Sequence, residues 1–277
     1  MPWHAHLQLD YTHDGQTTGA LDRHEGPLRV LQRLYPEGPG ICHHVLVHPP
    51  GGIVGGDTLQ VDARLAPGAH ALITTPGATR FYRSNGPLAE QRVHATLAEG
   101  ARLEWLPLET IAYTGCRVQN TLQFDLAPGA QMIGWDLLAL GLPAADQAYV
   151  QGSFLQQLSL PGAWLERGRI DAADALLLDV PLGWDGRRVL GTLWFAAASA
   201  LTTALRDGLL ESAREQISSH PALARHAGAT AVHERVVVLR VLADRVEPAM
   251  ALLAAVRGTW RQLAWSLAPN PPRIWRT

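Results

Sequence analysis

The sequence predicts a mainly β protein, a body of stacked β-layers of β-helical or solenoid-like type, with two α-helices in its C-terminal half. Three observations predict it. Between about residues 5 and 185, short runs with apolar residues at alternate positions are broken by Gly or Pro every ten residues or so, the punctuation of an all-β architecture. The same stretch carries an internal repeat. Beyond about residue 190 the apolar spacing becomes that of helices.

The repeat is read by direct alignment. Val61 to Ala69 (VDARLAPGA) matches Val93 to Ala101 (VHATLAEGA), and Leu122 to Ala130 (LQFDLAPGA) matches both. A weaker fourth copy ends at Leu160-Pro161-Gly162-Ala163. Each copy reads as a strand, a tight turn and another strand. The turns recur every 29 to 33 residues, a period that suggests stacked layers burying their apolar faces on one another. Four ordinary hairpins sharing a favoured turn sequence are the alternative, and either reading makes the segment β.

In the second part, Trp194, Ala197, Leu201, Leu205, Leu209, Ala213 and Ile217 recur at helical spacing, with Pro221 just beyond. A valine-rich strand region runs from Val232 to Leu242. A second helix opens at Glu247-Pro248, where proline's missing N–H costs nothing, and carries the stripe Met250, Leu253, Val256, Trp260, Leu263, Leu267. These stripes read as core faces. Pro269-Asn270-Pro271-Pro272 stops the helix before the tail Arg273 to Thr277. No long linker separates the parts, so residues 1–277 read as one domain.

Composition narrows the function. The chain has 277 residues, 47% apolar and 17% charged, with a formal net charge of −2. This is a globular composition without the basic footprint of a nucleic-acid or anionic-membrane binder. All 23 basic residues are arginine, which excludes a Schiff-base lysine and an intact phosphate-binding loop. Two cysteines, Cys42 and Cys116, make neither a disulfide framework nor a thiolate zinc site. The start, Met1 to Leu7, lacks the pattern of a signal peptide, and the most apolar window, Leu190 to Leu205, is too short to cross a bilayer. The expectation is a soluble, cytoplasmic protein.

The densest chemistry lies between Cys42 and Thr58. Its end, Gly51-Gly52-Ile53-Val54-Gly55-Gly56-Asp57-Thr58, comes close to a phosphate loop, but Asp57 stands where lysine is needed and would repel phosphate. The glycines instead suit positive φ or close backbone approach. Asp57 is either a turn cap or a placed carboxylate. Cys42, His43, His44 and His48 are ligand types for zinc, nickel or copper. On a strand His43 and His44 point to opposite faces while His44 and His48 share one, and ordinary hydrogen-bonded histidines are the simpler reading. Glu104, Glu109, Asp136 and Glu166 each lie in an apolar, tryptophan-containing context, where a buried carboxylate needs a partner or a purpose. Arginine pairing would satisfy them. No serine-nucleophile turn, zincin helix or cysteine-nucleophile setting is present.

Several segments agree with one known pattern. They are Gly26 to Val30 with Tyr35 to Gly38, His48 to Asp57, Thr74 to Ser84, Leu103 to Ile111, and Pro271 to Thr277, in this order and across nearly the whole chain. Together they resemble the urease accessory protein UreD family, called UreH in some organisms. Three positions depart from its pattern: Arg80 for lysine, Leu108 for glutamine and Tyr113 near an expected phenylalanine.

The resemblance implies stacked β-strands with two helices and a role other than catalysis. It implies binding to apo-urease in a complex with UreF and, through UreF, the GTPase UreG, as a chaperone for nickel insertion. Nickel would be a transient passenger, with no tightly bound cofactor. On this reading Asp57, Asp136 and Glu166 line a nickel route, with His44, His48, Glu104 and Glu109 as weaker candidates. Arg273, Trp275 and Arg276 of the tail would hold UreF, motivated by an exposed-looking Trp275. Two other readings compete: a metal-dependent hydrolase built on His43, His44, His48 and Asp57, and a purely structural adaptor that touches no metal.

Overall fold

The computed structural model describes residues 2–276, so Met1 and Thr277, the outer residues of the termini read above, lie outside the described residues. The chain opens with the hairpin β1 (His4–His13) and β2 (Thr18–Glu25), followed by β3 (Arg29–Leu34) and β4 (Ile41–Val47). Coils then follow: β5 (Thr58–Leu65), β6 (His70–Thr74) and β7 (Thr79–Phe81), then β8 (Ala89–Leu97), β9 (Arg102–Leu106) and β10 (Thr110–Ala112). The third coil is β11 (Cys116–Leu126) and β12 (Gln131–Leu140), and the hairpin β13 (Gly152–Leu160) and β14 (Trp164–Asp171) follows it. The remainder is a one-turn helix α1 (Ala175–Leu178), β15 (Val189–Ala197), α2 (Thr203–Ser219), β16 (Ala227–His233), β17 (Val236–Ala243) and α3 (Val246–Trp265).

These strands form two facing sheets, ordered β14-β13-β11-β8-β5-β1-β2 and β16-β17-β15-β12-β9-β6-β4-β3, with β7 and β10 attached to the second through β12. The body is β-solenoid-like. Successive copies of the repeat stack in parallel and in the register of the sequence alignment: Val61 lies opposite Val93, and Val93 opposite Leu122. The turn after each copy passes the chain to the other sheet, and its glycine takes the left-handed conformation the turn needs (Gly68 φ 72°, Gly100 φ 65°, Gly129 φ 75°).

The fourth copy behaves differently. Its turn joins β13 and β14 as an antiparallel hairpin within the first sheet. The alignment would set Leu155 beside Leu122, but the strands pair Leu122 with Leu158. The hairpin ends the coil rather than extending it.

Two cores result. One fills the space between the sheets, with Leu7, Val61, Val93, Leu122, Phe124 and Trp194. The other lies between the second sheet and the helices, where Trp135, Leu193 and Leu239 meet Leu209, Leu253 and Trp260. This double burial corrects the reading of Trp194 and Ala197 as the start of a helix. They belong to β15, which is apolar on both faces because core lies on each side, and periodicity does not separate such a strand from a buried helix. The helix begins at Thr203, with the Thr202 side chain accepting from the Leu205 N–H. The valine-rich strand region read over Val232 to Leu242 lies in the hairpin β16–β17, which turns at Glu234-Arg235. On α3, Leu253, Val256 and Trp260 are buried as expected, but Leu263 is 47% exposed. β15 pairs with β12, so both parts of the chain share one sheet. No helix among the described residues is long and apolar enough to cross a membrane.

Candidate functional site

Strand alternation sends every second side chain of the first sheet into the space between the sheets. Two residues before the repeat's aligned Val61, Val93 and Leu122 stand Leu59, Gln91 and Asn120. Stacking brings Gln91 beside Asn120, and Asn120 beside Gln156 of the next strand. The amides are joined: Gln91 donates to Asn120 and Asn120 donates to Gln156, each at 3.2 Å. From the opposite sheet Asp136 lines the same cavity as Gln156, within reach of its amide. Asn120 is only 1% exposed, so a continuous polar row crosses an otherwise apolar interior.

The row ends in a cavity at each side. One, of about 260 Å³, is walled by Gln91, His48, Arg80, Trp105 and the glycine loop. The other, of about 350 Å³, is walled by Gln156, Asp136, Glu166, Thr192, Trp184 and Arg240. Burial pushes the Asp136 carboxyl up to about 6 against the opposing effect of the Gln156 amide. Glu166 is ion-paired with Arg240.

The glycine loop builds the wall of the first cavity by both means expected. Gly51 and Gly56 have φ of 76° and 96°. Gly52 lies against the Tyr82 ring and Gly55 against Ser84 and Pro87, with no room for a Cβ. Asp57 caps this loop: its carboxylate accepts from the Val54 N–H at 3.0 Å and the Trp3 N–H at 2.7 Å. Between the two readings left open, the turn cap describes its contacts.

The remaining candidates are dispersed. His48 lies in the first cavity with its buried Nε2 free of any protein partner, and burial lowers its pKa. His44 faces the inner core, shares a 2.8 Å hydrogen bond with the Tyr11 hydroxyl and is pushed down to about 4 by burial. His43, on the opposite face, bonds Glu37 at 2.8 Å. The four residues of the hydrolase reading therefore do not converge. Cys42 lies 3.9 Å from His44, and Cys116 is also buried. Glu104 points away from the interior, into the helix layer, where Arg257, Arg261 and His70 occupy its oxygens. Glu109 is half-buried beside the strand end at Thr110.

The tail also differs from expectation. Trp275 is not an exposed ring but half-buried, lying 5.0 Å from Trp135 by ring centroids and donating its indole N–H to Thr74 at 2.9 Å. Arg273 and Arg276 stay exposed.

Among the described residues no three His, Cys, Asp or Glu side chains converge as a metal cage. The site instead offers amide and carboxylate oxygens in sequence, the donor types that suit a hard or borderline divalent cation. Sequence reasoning missed the amide row. Its signal was there: a polar residue recurring at one inward position of an apolar repeat.

Comparison with known proteins gives the chain a family. The family model of the UreD urease accessory protein matches residues 4–276. The chain is 68% identical over 279 residues to the urease accessory protein UreD of Leptothrix cholodnii, covering 100% of both chains. It is 58% identical over 275 residues to that of Paracidovorax citrulli (99% of both) and 57% identical over 277 residues to that of Variovorax paradoxus (100% of both). A family match over residues 4–276 and identities of this size along the entire chain mean that the protein belongs to the UreD family of urease accessory proteins.

Proposed function

We propose that the protein serves urease maturation as a nickel conduit: in a cytoplasmic complex with UreF and the GTPase UreG, it docks on apo-urease and passes Ni²⁺ through its interior. The observation that carries this reading is the amide row Gln91–Asn120–Gln156, which joins one cavity to the carboxylate of Asp136 in the other. Nickel is cargo here. Weak oxygen donors in series let it move, whereas a closed thiolate or imidazole cage would retain it.

Asp136 is the principal donor of this route and must lose its proton to act. The amide oxygens of Gln156, Asn120 and Gln91 are intermediate contacts, reached by rotating each amide out of its neighbour's hydrogen bond. His48 serves the first cavity and Glu166 the second. Asp57 supports the mouth through the glycine loop, and Glu104 and Glu109 act through structure. The exposed Arg273 and Arg276, beside the docked Trp275, are the surface offered to UreF.

The test compares Asn120→Leu and Asp136→Ala with the unaltered chain, co-expressed with urease and its other accessory proteins. Nickel per urease active site is measured together with recovery of the complex. The conduit predicts at least a fivefold loss of nickel with the complex intact. Normal nickel loading by both variants would overturn it in favour of a structural adaptor.

A further inference from the structure

The second cavity has a neighbour. An outer groove of about 550 Å³ is walled by Pro181, Trp184, Arg225, His226 and Arg240. Trp184, Leu190 and Arg240 belong to both walls, so these side chains lie between the cavity that holds Asp136 and the groove outside. The backbone does not close this side: β14 ends the first sheet, β17 lies in the second, and no strand pairing joins them. Glu166 of β14 and Arg240 of β17 meet across the gap as an ion pair 74 residues apart in sequence.

We propose that the Arg240–Glu166 pair is a gate, closing the Asp136 cavity against the outer groove and joining the two when it parts. Three features fit a gate better than a structural brace. The pair keeps 45% and 26% of its side-chain surface exposed, and such pairs are weak and readily exchanged. This contrasts with the fully shielded Arg257–Glu104 pair of the helix layer. Arg240 also stands in the cross-strand row Asp136–Thr192–Arg240, so its guanidinium is placed to respond to charge at Asp136. Finally, the fixed part of the wall, Trp184, is 7% exposed and well packed, which leaves the ion pair as the movable part.

The charges facing the gate are Asp136 and Glu166 with Arg167 and Arg169 on the cavity side, and Asp185, Arg225 and His226 on the groove side. A cation held between Asp136 and Glu166 would compete with Arg240 for Glu166 and repel its guanidinium, so arrival of cargo favours opening. That nickel is the cargo rests on the conduit reading above; the gate itself does not.

The test reads access rather than nickel. A Thr192→Cys substitution places a thiol in the cavity wall, and a small cationic methanethiosulfonate reagent reports access to it, with the modified peptide quantified by mass spectrometry. The buried Cys42 and Cys116 serve as internal references for the fold. The gate predicts slow modification of the Thr192→Cys protein and at least tenfold faster modification when Arg240→Ala is added. The charge swap Arg240→Glu with Glu166→Arg should return it to the slow rate. Equal rates with and without Arg240→Ala overturn the gate. Should Arg240→Ala unmask Cys42 or Cys116, the milder Arg240→Gln carries the same comparison. A conduit that fails the Asn120→Leu test leaves these rates unchanged, so the two ideas fail separately.

Discussion

Arg257 Nε donates to Glu104 Oε2 at 2.8 Å, joining helix α3 to strand β9 across 153 residues of sequence. Both side chains are shielded from solvent, and Arg261 and His70 converge on the same carboxylate. Arg261 continues to Glu37, which also holds His43. Burial alone would raise the Glu104 carboxyl, but Arg257, His70 and Arg261 outweigh it and hold the group far below the usual carboxylate range. Glu104→Ala would leave the buried Arg257 guanidinium without its counter-charge and Arg261 with Glu37 alone, at a cost of about 3–5 kcal/mol. Urea unfolding checks this, and Glu104→Gln should fall between the two. A change no larger than that of a surface substitution would contradict the assignment.

The same helix layer fixes the tail. Arg257 and Arg261 donate to the carbonyls of Pro269 and Ala268, and Arg257 lies 6.0 Å from the Trp275 ring. Trp275→Ala removes the contact with Trp135 and the bond to Thr74, and is expected to cost about 2–3 kcal/mol. Arg273→Ala with Arg276→Ala should leave the melting temperature unchanged. If the tail holds UreF, only this double variant weakens complex recovery without loss of stability, which separates a partner contact from a fold contact.

Gly52→Ala places a Cβ 2.0 Å from the Tyr82 ring. A packed ring cannot yield as a flexible side-chain tip can, so the loop must shift, at a cost of about 1–3 kcal/mol. Gly77, in the wall of the same cavity, has open space where a Cβ would stand, with no neighbouring atom within 4 Å. Gly77→Ala should therefore be neutral within about 0.5 kcal/mol. Thermal denaturation of the pair tests whether the loop is glycine-rich for close packing.

The legible and illegible parts of this protein divide by physical cause. The aligned repeat was legible because parallel stacking sets equivalent residues side by side, so Val61, Val93 and Leu122 reveal register as well as strand. Trp194 misled because β15 is buried on both faces, which erases the alternation that marks a half-exposed strand. The fourth turn misled because its Pro-Gly sequence serves a hairpin as well as a change of sheet. Asp136 and Glu166 stood out by context, yet their shared cavity depends on the pairing of β13 with β14 and of β12 with β15. Glu104 looked like a site for the reason that makes it structural: a carboxylate in an apolar run, answered by arginines 153 and 157 residues away.

Asp136 offers a prediction free of partners and metal. Its folded carboxyl titrates at about 6, above the ordinary 3.8, so the folded state binds the proton more tightly than the unfolded chain. Stability from this group is full below about pH 4 and is lost as pH rises through 6. Asp136→Asn keeps the shape and hydrogen bonding but cannot ionise. It should match the unaltered protein near pH 4 and exceed its stability at pH 7.5 by about 1–3 kcal/mol, the value of a shift of about two pKa units with some screening. Denaturation midpoints at a series of pH values check it. A gap that stays constant with pH would mean that the cavity is wet enough to solvate the carboxylate. A gap that opens between pH 4 and 6 would mean that Asp136 ionises only against a desolvation cost, which a divalent cation bound there would offset.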